Sequence, residues 1–549
     1  MKSTSIQVQG TVQGVGFRPF VYNLAKKLSL KGYVNNDDNG VNILIQGLDK
    51  DITSFTDALK SKIPPLAIID TIHTKEIESV EKYPCFEIIK SNSSFSKTTA
   101  ISADIAICQE CEDEMNTCDN HRYNYALINC TNCGPRYSII NTIPYDRKFT
   151  SMKDFKMCKQ CLDEYINPSN RRYHAQPISC KNCGPDIHLY NNKNELILTS
   201  NEAIKEIAKL VNNGKIVAIK GLGGFHLICD SSNDEVVKEL RKRKNRPTKP
   251  FAVMFKNIHE IKKVTVLTDN EEKIILSKEK PITIVRKNDK NALSSYIAPN
   301  INRMGVYISF TPLYKVLFEY LNNPIIATSA NLSDEPIIVT KDEVIEKLSG
   351  VVDYILDVNR DVINACDDSV VQSVNNKKFV LRLARGYAPK TLKLPFKINK
   401  KILALGANQK NTISLAFEDK LIVSPHIGDL NSLVTLEYFE KTINTFKRFY
   451  DFEPDIIVCD NHPTYETTKW AKKQNKHIVQ VQHHYAHVLS CMAEYNLNNK
   501  VLAFSWDGTG YGDDGNIWGG EVFVANTSSY KRVNHFKYFK LLGAEKAIR

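Results

Sequence analysis

The sequence lacks the features that would place the chain in a membrane. It contains no run of 18 consecutive apolar residues, which excludes an ordinary transmembrane helix. The first ten residues, MKSTSIQVQG, include no apolar segment of signal-peptide length and alternate like a β-strand. Apolar residues make up 42% and charged residues 24% of the chain, which is ordinary for a soluble protein. We therefore expect a cytoplasmic protein that does not act on membranes.

A strong charge of one sign is also absent. Lys and Arg number 73 against 61 Asp and Glu, so the net charge of +12 is small for 549 residues. This excess suits either a nucleic acid or anionic phosphate substrates. At roughly 150 residues per domain, the length predicts three or four domains.

Cysteines are few outside one region of the chain. Of the 14 cysteines, eight form a regular pattern, and the other six are scattered at positions 85, 118, 229, 366, 459 and 491. Scattered single cysteines fit a reducing compartment better than a disulfide framework.

The eight patterned cysteines belong to a unit that occurs twice, 50 residues apart. Each copy reads C-x2-C-x18-C-x2-C, ends in CTNCGP or CKNCGP, and has a tyrosine (Tyr123 or Tyr173) at the same place. This spacing is typical of closed structural zinc sites with four thiolates. We expect two zinc ions, bound by Cys108, Cys111, Cys130, Cys133, Cys158, Cys161, Cys180 and Cys183.

Other interpretations of these cysteines remain open at this point. Disulfides or a redox C-x2-C pair would use the same residue type. The spacing also leaves undecided whether each unit binds its own metal or the pairs interleave.

Residues 1–91 predict a ferredoxin-like α+β domain of βαββαβ order. Between the first strand and the first helix, Gly14 and Gly16 allow backbone N–H groups to face a phosphate, and Arg18 adds a bidentate donor. The string VQGVGFRPFVYNLAKKLSLKGYVNND resembles acylphosphatases. This resemblance implies that Arg18 binds the phosphate and that Asn36 orients the attacking water. The alternative is a degenerate domain kept for packing.

Residues 199–390 place basic, hydroxyl and amide side chains beside several predicted strands. The strings RKNRPTKPFAVMF and IIATSANLSDEPI resemble the YrdC-like α/β family, which joins a small acid to AMP. By this resemblance, Lys244 and Arg246 neutralise ATP oxygens during nucleotidyl transfer. Ser329 and Asn331 would hydrogen-bond the small substrate or a phosphate. A solvated lysine and a turn-forming asparagine are the simpler alternatives.

Residues 398–549 begin with predicted strands and reach the segment VQHHYAHVLSCMAEY. His483 and His487 are four residues apart, so on a helix they share one face and can bind one divalent metal. His484 is the spare histidine of this segment.

The segment FSWDGTGYGDDGNIWGGE follows as a strand, an aspartate and several glycines. Such an order presents backbone amides to phosphates in the actin and sugar-kinase superfamily, so we expect Asp507, Gly508 and Gly510 to contact a nucleotide or its metal. A structural glycine-rich hairpin is the alternative. We expect only the first lobe of a kinase-like domain, and therefore an enzyme that forms its activated intermediate but transfers it poorly.

The order of the four modules resembles the HypF family of carbamoyltransferases, which serve [NiFe]-hydrogenase maturation. The resemblance implies that carbamoyl phosphate is hydrolysed to carbamate, that carbamate and ATP with Mg²⁺ form carbamoyl adenylate, and that the carbamoyl group passes to the C-terminal Cys of a HypE partner. Zinc would hold the double finger as a rigid bracket between the first and third domains. No nucleic-acid partner is expected.

Two other functions compete with this one. Zinc fingers, positive charge and YrdC-like plus kinase-like domains also suit an enzyme of tRNA threonylcarbamoyladenosine formation. The predicted acyl-phosphate pocket at Arg18 discriminates, because that pathway starts from threonine and bicarbonate. A scaffold with inactive sites is the third possibility.

Overall fold

The computed structural model describes residues 2–37, 40–78, 82–89, 99–288, 292–332 and 335–538. These residues belong to two compact units, one within 1–390 and 447–451, the other within 391–446 and 452–549. Among the described residues, no helix combines the length and apolar character that crossing a bilayer requires.

The first domain of the larger unit is a five-stranded sheet covered by two helices. The sheet order is β4-β1-β3-β2-β5, in which only the β2–β5 pair is parallel. Alternating apolar residues such as Ile6 and Val8 pack beneath Val21 and Phe55 of the helices. The ferredoxin-like prediction is confirmed. Its elements are β1 Lys2–Thr11, α1 Phe17–Lys27, β2 Lys31–Asp37, β3 Gly40–Gly47, α2 Asp49–Ser61, β4 Ile68–Ile77 and β5 Phe86–Ile88.

The duplicated cysteine units follow, and each contains one short helix. The helices are α3, Gln109–Asn116, and α4, Lys159–Ile166, so they are offset by the 50-residue period of the sequence. Each begins directly after the first cysteine of its unit.

The third domain is an α/β domain around a large mixed sheet. Along the sheet the strands follow the order β17-β16-β12-β13-β10-β14-β9-β8-β15-β6-β7, with β11 paired to β12. The strands are β6 Ile187–Asn191, β7 Leu196–Thr199, β8 Val217–Lys220, β9 Phe225–Asp230, β10 Ala252–Phe255, β11 Thr265–Val266, β12 Ile282–Lys287, β13 Arg303–Ile308, β14 Ile325–Ser329, β15 Tyr354–Val358, β16 Val370–Val374 and β17 Lys377–Arg382. The helices are α5 Ser200–Asn212, α6 Asp234–Arg243, α7 Ile258–Val264, α8 Asp269–Leu276, α9 Pro312–Leu317 and α10 Lys341–Leu348.

The first cysteine unit and this sheet share one hydrophobic core. Met115 and Ile128 of the first unit are buried together with Ile204 and Ile207 of α5. A second core contains residues of α6, α7 and α10. The first cysteine unit is therefore packed into the α/β domain, whereas the second has a small core of its own around Cys161 and Ile178.

The smaller unit contains a four-stranded and a three-stranded sheet. Their orders are β19-β18-β20-β21 and β22-β25-β26, and β23 pairs with β24. The elements are β18 Lys390–Leu405, β19 Ile413–Val423, α11 Leu433–Tyr450, β20 Ile456–Asp460, α12 Glu466–Lys473, β21 His477–Val481, α13 His483–Glu494, β22 Val501–Ser505, β23 Gly510–Tyr511, β24 Ile517–Trp518, β25 Glu521–Ala525 and β26 Tyr530–His535.

Candidate functional site

Each 50-residue unit closes its own cluster of four cysteines. Neighbouring sulfur atoms lie 3.6 to 3.7 Å apart in the first unit and 3.7 Å apart in the second. A tetrahedron with zinc–sulfur distances of about 2.3 Å has edges of about 3.8 Å, so both clusters fit zinc. Because the clusters form within the units, the interleaved pairing is wrong. Their members are Cys108, Cys111, Cys130 and Cys133, and Cys158, Cys161, Cys180 and Cys183.

Arginines reach from each unit to the cluster of the other. Arg122 of the first unit donates a hydrogen bond to Sγ of Cys161 at 3.4 Å. Arg172, one 50-residue period later, donates to Sγ of Cys111 at 3.8 Å, and its neighbour Arg171 donates to the same sulfur at 3.3 Å. These guanidinium groups offset the negative charge that four thiolates bring to a zinc ion.

The same arginines pair with carboxylates of the opposite unit. Arg122 donates to Glu164 at 3.0 Å, and Arg172 donates to Glu114 at the equivalent position of the first unit. Both arginine side chains are almost completely buried. Sequence reasoning did not find this exchange, although the repeated Arg and Glu positions at the 50-residue period were a signal for it.

The predicted phosphate loop lies at the start of α1. Gly14 and Gly16 have φ values of +70° and +76°, a region that glycine occupies without the strain imposed on other residues. Gly16 caps α1, whose first N–H groups have no acceptor within the helix. We therefore expect the loop to offer an anion several backbone donors, with the guanidinium of Arg18 beside them.

The second predicted residue of this site, Asn36, lies on β2. Gln13 of the loop donates to the main-chain oxygens of Asp37 at 2.6 Å and Gly40 at 2.9 Å, which fastens the loop to the end of that strand. Asn36 is buried, and its Oδ1 has no hydrogen-bond partner among the described residues. Among the residues that the structure describes, no hydrogen bond joins Arg18 to Asn36.

Residues of the cysteine units surround Arg18. Burial lowers the pKa of Arg18, and Tyr173, Asp146 and Tyr165 oppose this shift. His174 stacks on Tyr173 and Tyr165 with ring centroids 4.1 and 5.0 Å apart. Burial, followed by the positive charge of Arg18, lowers the pKa of His174 to about 4, so this ring is neutral at pH 7. In the sequence, Tyr173 was identified only as the equivalent of Tyr123 in the repeat, which gave no indication that Tyr173 interacts with Arg18.

The loop itself touches the first cysteine unit. A Cβ atom on Gly14 would lie 3.2 Å from the ring of Tyr145, and one on Gly16 would lie 3.0 Å from Oγ1 of Thr131. The phosphate loop and the double finger are therefore in direct contact, and larger residues at either glycine would push against the finger.

The four predicted nucleotide-binding residues of the α/β domain converge. Nζ of Lys244 donates to the main-chain oxygens of Ser329 at 2.8 Å and Asn331 at 2.7 Å, and to Oδ1 of Asn331 at 2.8 Å. Oγ of Ser329 donates to the same Oδ1 at 3.0 Å. Arg246 lies beside them, with Nη1 3.5 Å from Oγ1 of Thr328. Burial, followed by repulsion from Arg246, lowers the pKa of Lys244 to about 7.

The predicted histidine pair meets an aspartate in the smaller unit. Nε2 of His483 lies 2.9 Å and Nε2 of His487 lies 3.6 Å from Oδ2 of Asp507. All three ligand atoms lie within 4.8 Å of one another, so the group can hold a divalent metal. Asp460 was missed; it ends β20 and accepts from Nδ1 of His483 at 2.6 Å. Such a carboxylate orients a ligating imidazole.

Neighbouring residues also determine the pKa of His483 and the space around its ring. Burial disfavours a charge on His483, but the hydrogen bonds to Asp460 and Asp507 outweigh it and raise the pKa of His483 to about 9. A Cβ atom on Gly510 would lie 2.5 Å from the His484 ring and 3.0 Å from the His483 ring, so glycine permits both rings to approach closely. His484 is buried and lies outside the group.

The glycine predicted next to the aspartate contacts it directly. The N–H of Gly508 donates to Oδ1 of Asp507 at 2.8 Å. A Cβ atom on Gly508 would meet no atom within 4 Å, so this backbone borders open space.

Family models cover most of the chain. They are Acylphosphatase over residues 4–88, HypF finger over 107–140 and 157–190, and the Sua5/YciO/YrdC model described as "Telomere recombination" over 209–384. The remaining two are HypF Kae1-like domain over 397–494 and Carbamoyltransferase, Kae1-like Domain, second subdomain, over 503–549.

Several relatives match this chain over nearly its whole length and over about 70% of their own. The chain is 44% identical to Carbamoyltransferase HypF of Synechocystis, over 100% of this chain and 71% of that protein. It is also 44% identical to Probable carbamoyltransferase HypF of Methanocaldococcus jannaschii, over 99% of this chain and 72% of that protein. A crystal structure of full-length HypF in the phosphate- and nucleotide-bound form superposes with a TM-score of 0.93 at 42% identity, over 98% of this chain and 70% of that one.

Proposed function

The chain belongs to the HypF family of carbamoyltransferases, and on that premise we propose that it converts carbamoyl phosphate into carbamoyl adenylate for transfer to a protein thiolate in [NiFe]-hydrogenase maturation. It is a carbamoyltransferase with an acylphosphatase-like domain. The observation that carries the proposal is the convergence of Lys244, Ser329 and Asn331 in a chain that also holds the Arg18 loop.

In the first step, carbamoyl phosphate and water give carbamate and phosphate. Arg18 and the N–H groups of the loop bind the phosphate oxygens and offset their charge as water attacks phosphorus; the bond from phosphorus to the bridging oxygen breaks, and carbamate leaves with that oxygen. Asn36 orients the attacking water, since its buried Oδ1 lacks a protein donor.

In the second step, carbamate attacks the α-phosphorus of ATP, and pyrophosphate leaves. Lys244 and Arg246 offset the charge that develops on the phosphate oxygens. Oxygen acceptors of Asn331 and Ser329 hold the ammonium of Lys244, and we expect the same residues to contact the small acid. ATP is expected to enter with Mg²⁺, which neutralises phosphate charge.

In the third step, the carbamoyl group passes to the C-terminal Cys thiolate of a HypE-type partner, and AMP leaves. Asp507, His483 and His487 form the group that would hold a divalent metal near the nucleotide. We expect the backbone at Gly508 and Gly510 to contact its phosphate; in the structure, the N–H of Gly508 donates to Oδ1 of Asp507. Zinc in the double finger holds the Cys-rich loops in place and takes no part in bond breaking. The reducing cytoplasm is the expected compartment.

ATP–pyrophosphate exchange tests the proposal. Exchange should depend on carbamoyl phosphate, because carbamate forms only after hydrolysis at the Arg18 loop. Exchange that requires threonine and bicarbonate instead, and ignores carbamoyl phosphate, would assign the chain to tRNA threonylcarbamoylation. Mass spectrometry of the partner's terminal cysteine, after incubation with carbamoyl phosphate and ATP, tests the acceptor.

A further inference from the structure

The second cysteine unit packs against α1, the helix that carries Arg18. Nδ2 of Asn23, on this helix, donates to the main-chain oxygen of Pro168 at 3.4 Å. Closer to the phosphate loop, Oγ1 of Thr131 donates to the main-chain oxygen of Arg171 at 2.9 Å. These hydrogen bonds hold the segment from the proline to the arginine beside the start of the helix, and the tyrosine that follows it lies there too.

That tyrosine, Tyr173, interacts with the face of α1 that carries Arg18. Burial raises the pKa of Tyr173, and the positive charge of Arg18 opposes this shift, so the two side chains are close. Tyr22, four residues after Arg18 and on the same face of the helix, also acts on the phenol. Tyr173 is only 7% exposed, and its ring stacks on His174. This packing fixes the position of the hydroxyl beside Arg18.

The hydroxyl of Tyr173 has no hydrogen-bond partner among the residues that the structure describes. Within the same residues, the guanidinium of Arg18 forms neither a hydrogen bond nor an ion pair, although Asp146 attracts it. The neighbouring Tyr165, by contrast, donates to Oε1 of Gln176 at 2.9 Å. Buried tyrosine hydroxyls normally find a partner. Tyr173 and Arg18 are therefore two neighbouring donors to which the described polypeptide supplies no acceptor.

The first cysteine unit provides an internal comparison. Tyr123 is the equivalent of Tyr173, fifty residues earlier in the repeat. The next residues, Asn124 and His174, have nearly equal φ values of +52° and +53°. Nevertheless, Tyr123 is 37% exposed, and its hydroxyl interacts with the thiol of Cys118. The turn is thus shared by both units, whereas the burial of the tyrosine beside α1 is specific to the second.

We propose that Tyr173 is a substrate-binding residue of the acyl-phosphate site, and that its hydroxyl donates a hydrogen bond to a phosphate oxygen of the acyl phosphate bound at Arg18. The inference rests on the proposed function, because it takes the Arg18 loop as the phosphate site. The several anionic oxygens of a phosphate accept hydrogen bonds from more donors than one bidentate guanidinium. The site is then shared, since the first domain supplies the loop and the second cysteine unit supplies the hydroxyl.

Binding of inorganic phosphate, measured by titration calorimetry, tests this contact without any reaction. Wild type should bind phosphate, and Tyr173→Phe should bind it at least about tenfold more weakly, because a hydrogen bond to a charged group is lost. Tyr123→Phe, the equivalent change in the first unit, should bind phosphate as wild type does. Equal affinities in wild type and Tyr173→Phe, or no binding by wild type, would overturn the proposal.

Two further measurements separate binding from folding. Tyr173→Phe keeps the ring and removes only a hydroxyl without a partner in the described chain, so its Tm should equal that of wild type. Its pyrophosphate exchange with supplied carbamate should also be unchanged, because the Lys244 site does not use this hydroxyl. A loss of phosphate affinity that comes with an equal loss in both measurements would assign Tyr173 a structural role and overturn the proposal.

Hydrolysis of carbamoyl phosphate, followed as phosphate release, distinguishes this inference from the proposed function. KM should rise in Tyr173→Phe by the factor by which phosphate affinity falls. A rise in KM with unchanged phosphate affinity would place the hydroxyl at the acyl group and overturn the phosphate contact. If wild type binds phosphate but releases none from carbamoyl phosphate, the first step of the proposed function fails, whereas weaker phosphate binding by Tyr173→Phe still supports the contact.

Discussion

The cysteine cluster of each zinc unit accepts hydrogen bonds from arginines of the other unit. We therefore predict that substituting such an arginine in one unit releases zinc from the other. In Arg122→Met, the side chain keeps much of its volume but no longer binds Glu164 or the sulfur of Cys161. Removing one partner of a buried ion pair costs about 3–5 kcal/mol. Because the side chain of Glu164 is 18% exposed, we expect about 3 kcal/mol, near the lower limit.

The expected consequence for the metal is a 10–100-fold weaker zinc site in the second unit, the usual effect of losing an outer hydrogen bond to a ligand. Zinc release to a chromogenic chelator measures this loss. Alkylation with mass spectrometry then identifies the exposed thiols, which should be those of Cys158, Cys161, Cys180 and Cys183.

Substitution of the equivalent arginine in the second unit provides an internal control. Arg172→Met should expose the first cluster instead, with a smaller effect, because Arg171 also donates to Cys111 and pairs with Glu114. Lys205→Met, which removes only an exposed pair with Glu202, should behave like wild type. Preferential alkylation within the substituted unit, in either variant, would refute the reciprocal arrangement.

Three further outcomes follow from the other sites. Because burial lowers the pKa of Lys244 to about 7, its charge is lost as pH rises through 7, and the affinity for ATP should fall over that range. Calorimetry in buffers of different ionisation enthalpy should show that the wild-type chain takes up a proton on binding ATP at pH 8. Lys244→Met should show no such proton uptake. His483→Ala should lose a bound divalent metal, measured by titration calorimetry, whereas the exposed His477→Ala should retain it; equal binding would contradict the metal group. Gly16→Ala should lower the free energy of unfolding by about 1 kcal/mol or more, because φ is +76°, whereas Gly350→Ala, which meets no atom within 4 Å, should change little in denaturant unfolding.

Much of the fold could be predicted from patterns of residues that are close together in the sequence. The C-x2-C pairs, the glycines before α1 and the alternation of β1 predicted zinc units and a ferredoxin-like domain, because each depends on residues close together in the chain. The convergence of Lys244 with Asn331, 87 residues apart, was accessible only through a family resemblance, since no local periodicity relates them.

Residues that act across domain boundaries could not be predicted in the same way. Tyr145 and His174 belong to the cysteine units in sequence, yet they lie beside the phosphate loop. Asp460 ends a strand as many polar residues do, and its role depends on the position of His483. These properties arise from tertiary packing, which the sequence pattern does not encode locally.

The most direct test of the account separates the two chemical steps by supplying carbamate from outside. Arg18→Ala should reduce pyrophosphate exchange from carbamoyl phosphate at least about 100-fold, while freshly dissolved carbamate restores exchange; Lys26→Ala, at an exposed position of the same helix, should behave like wild type. Undiminished exchange from carbamoyl phosphate in Arg18→Ala would contradict the claim that this arginine supplies the carbamate that the Lys244 site consumes.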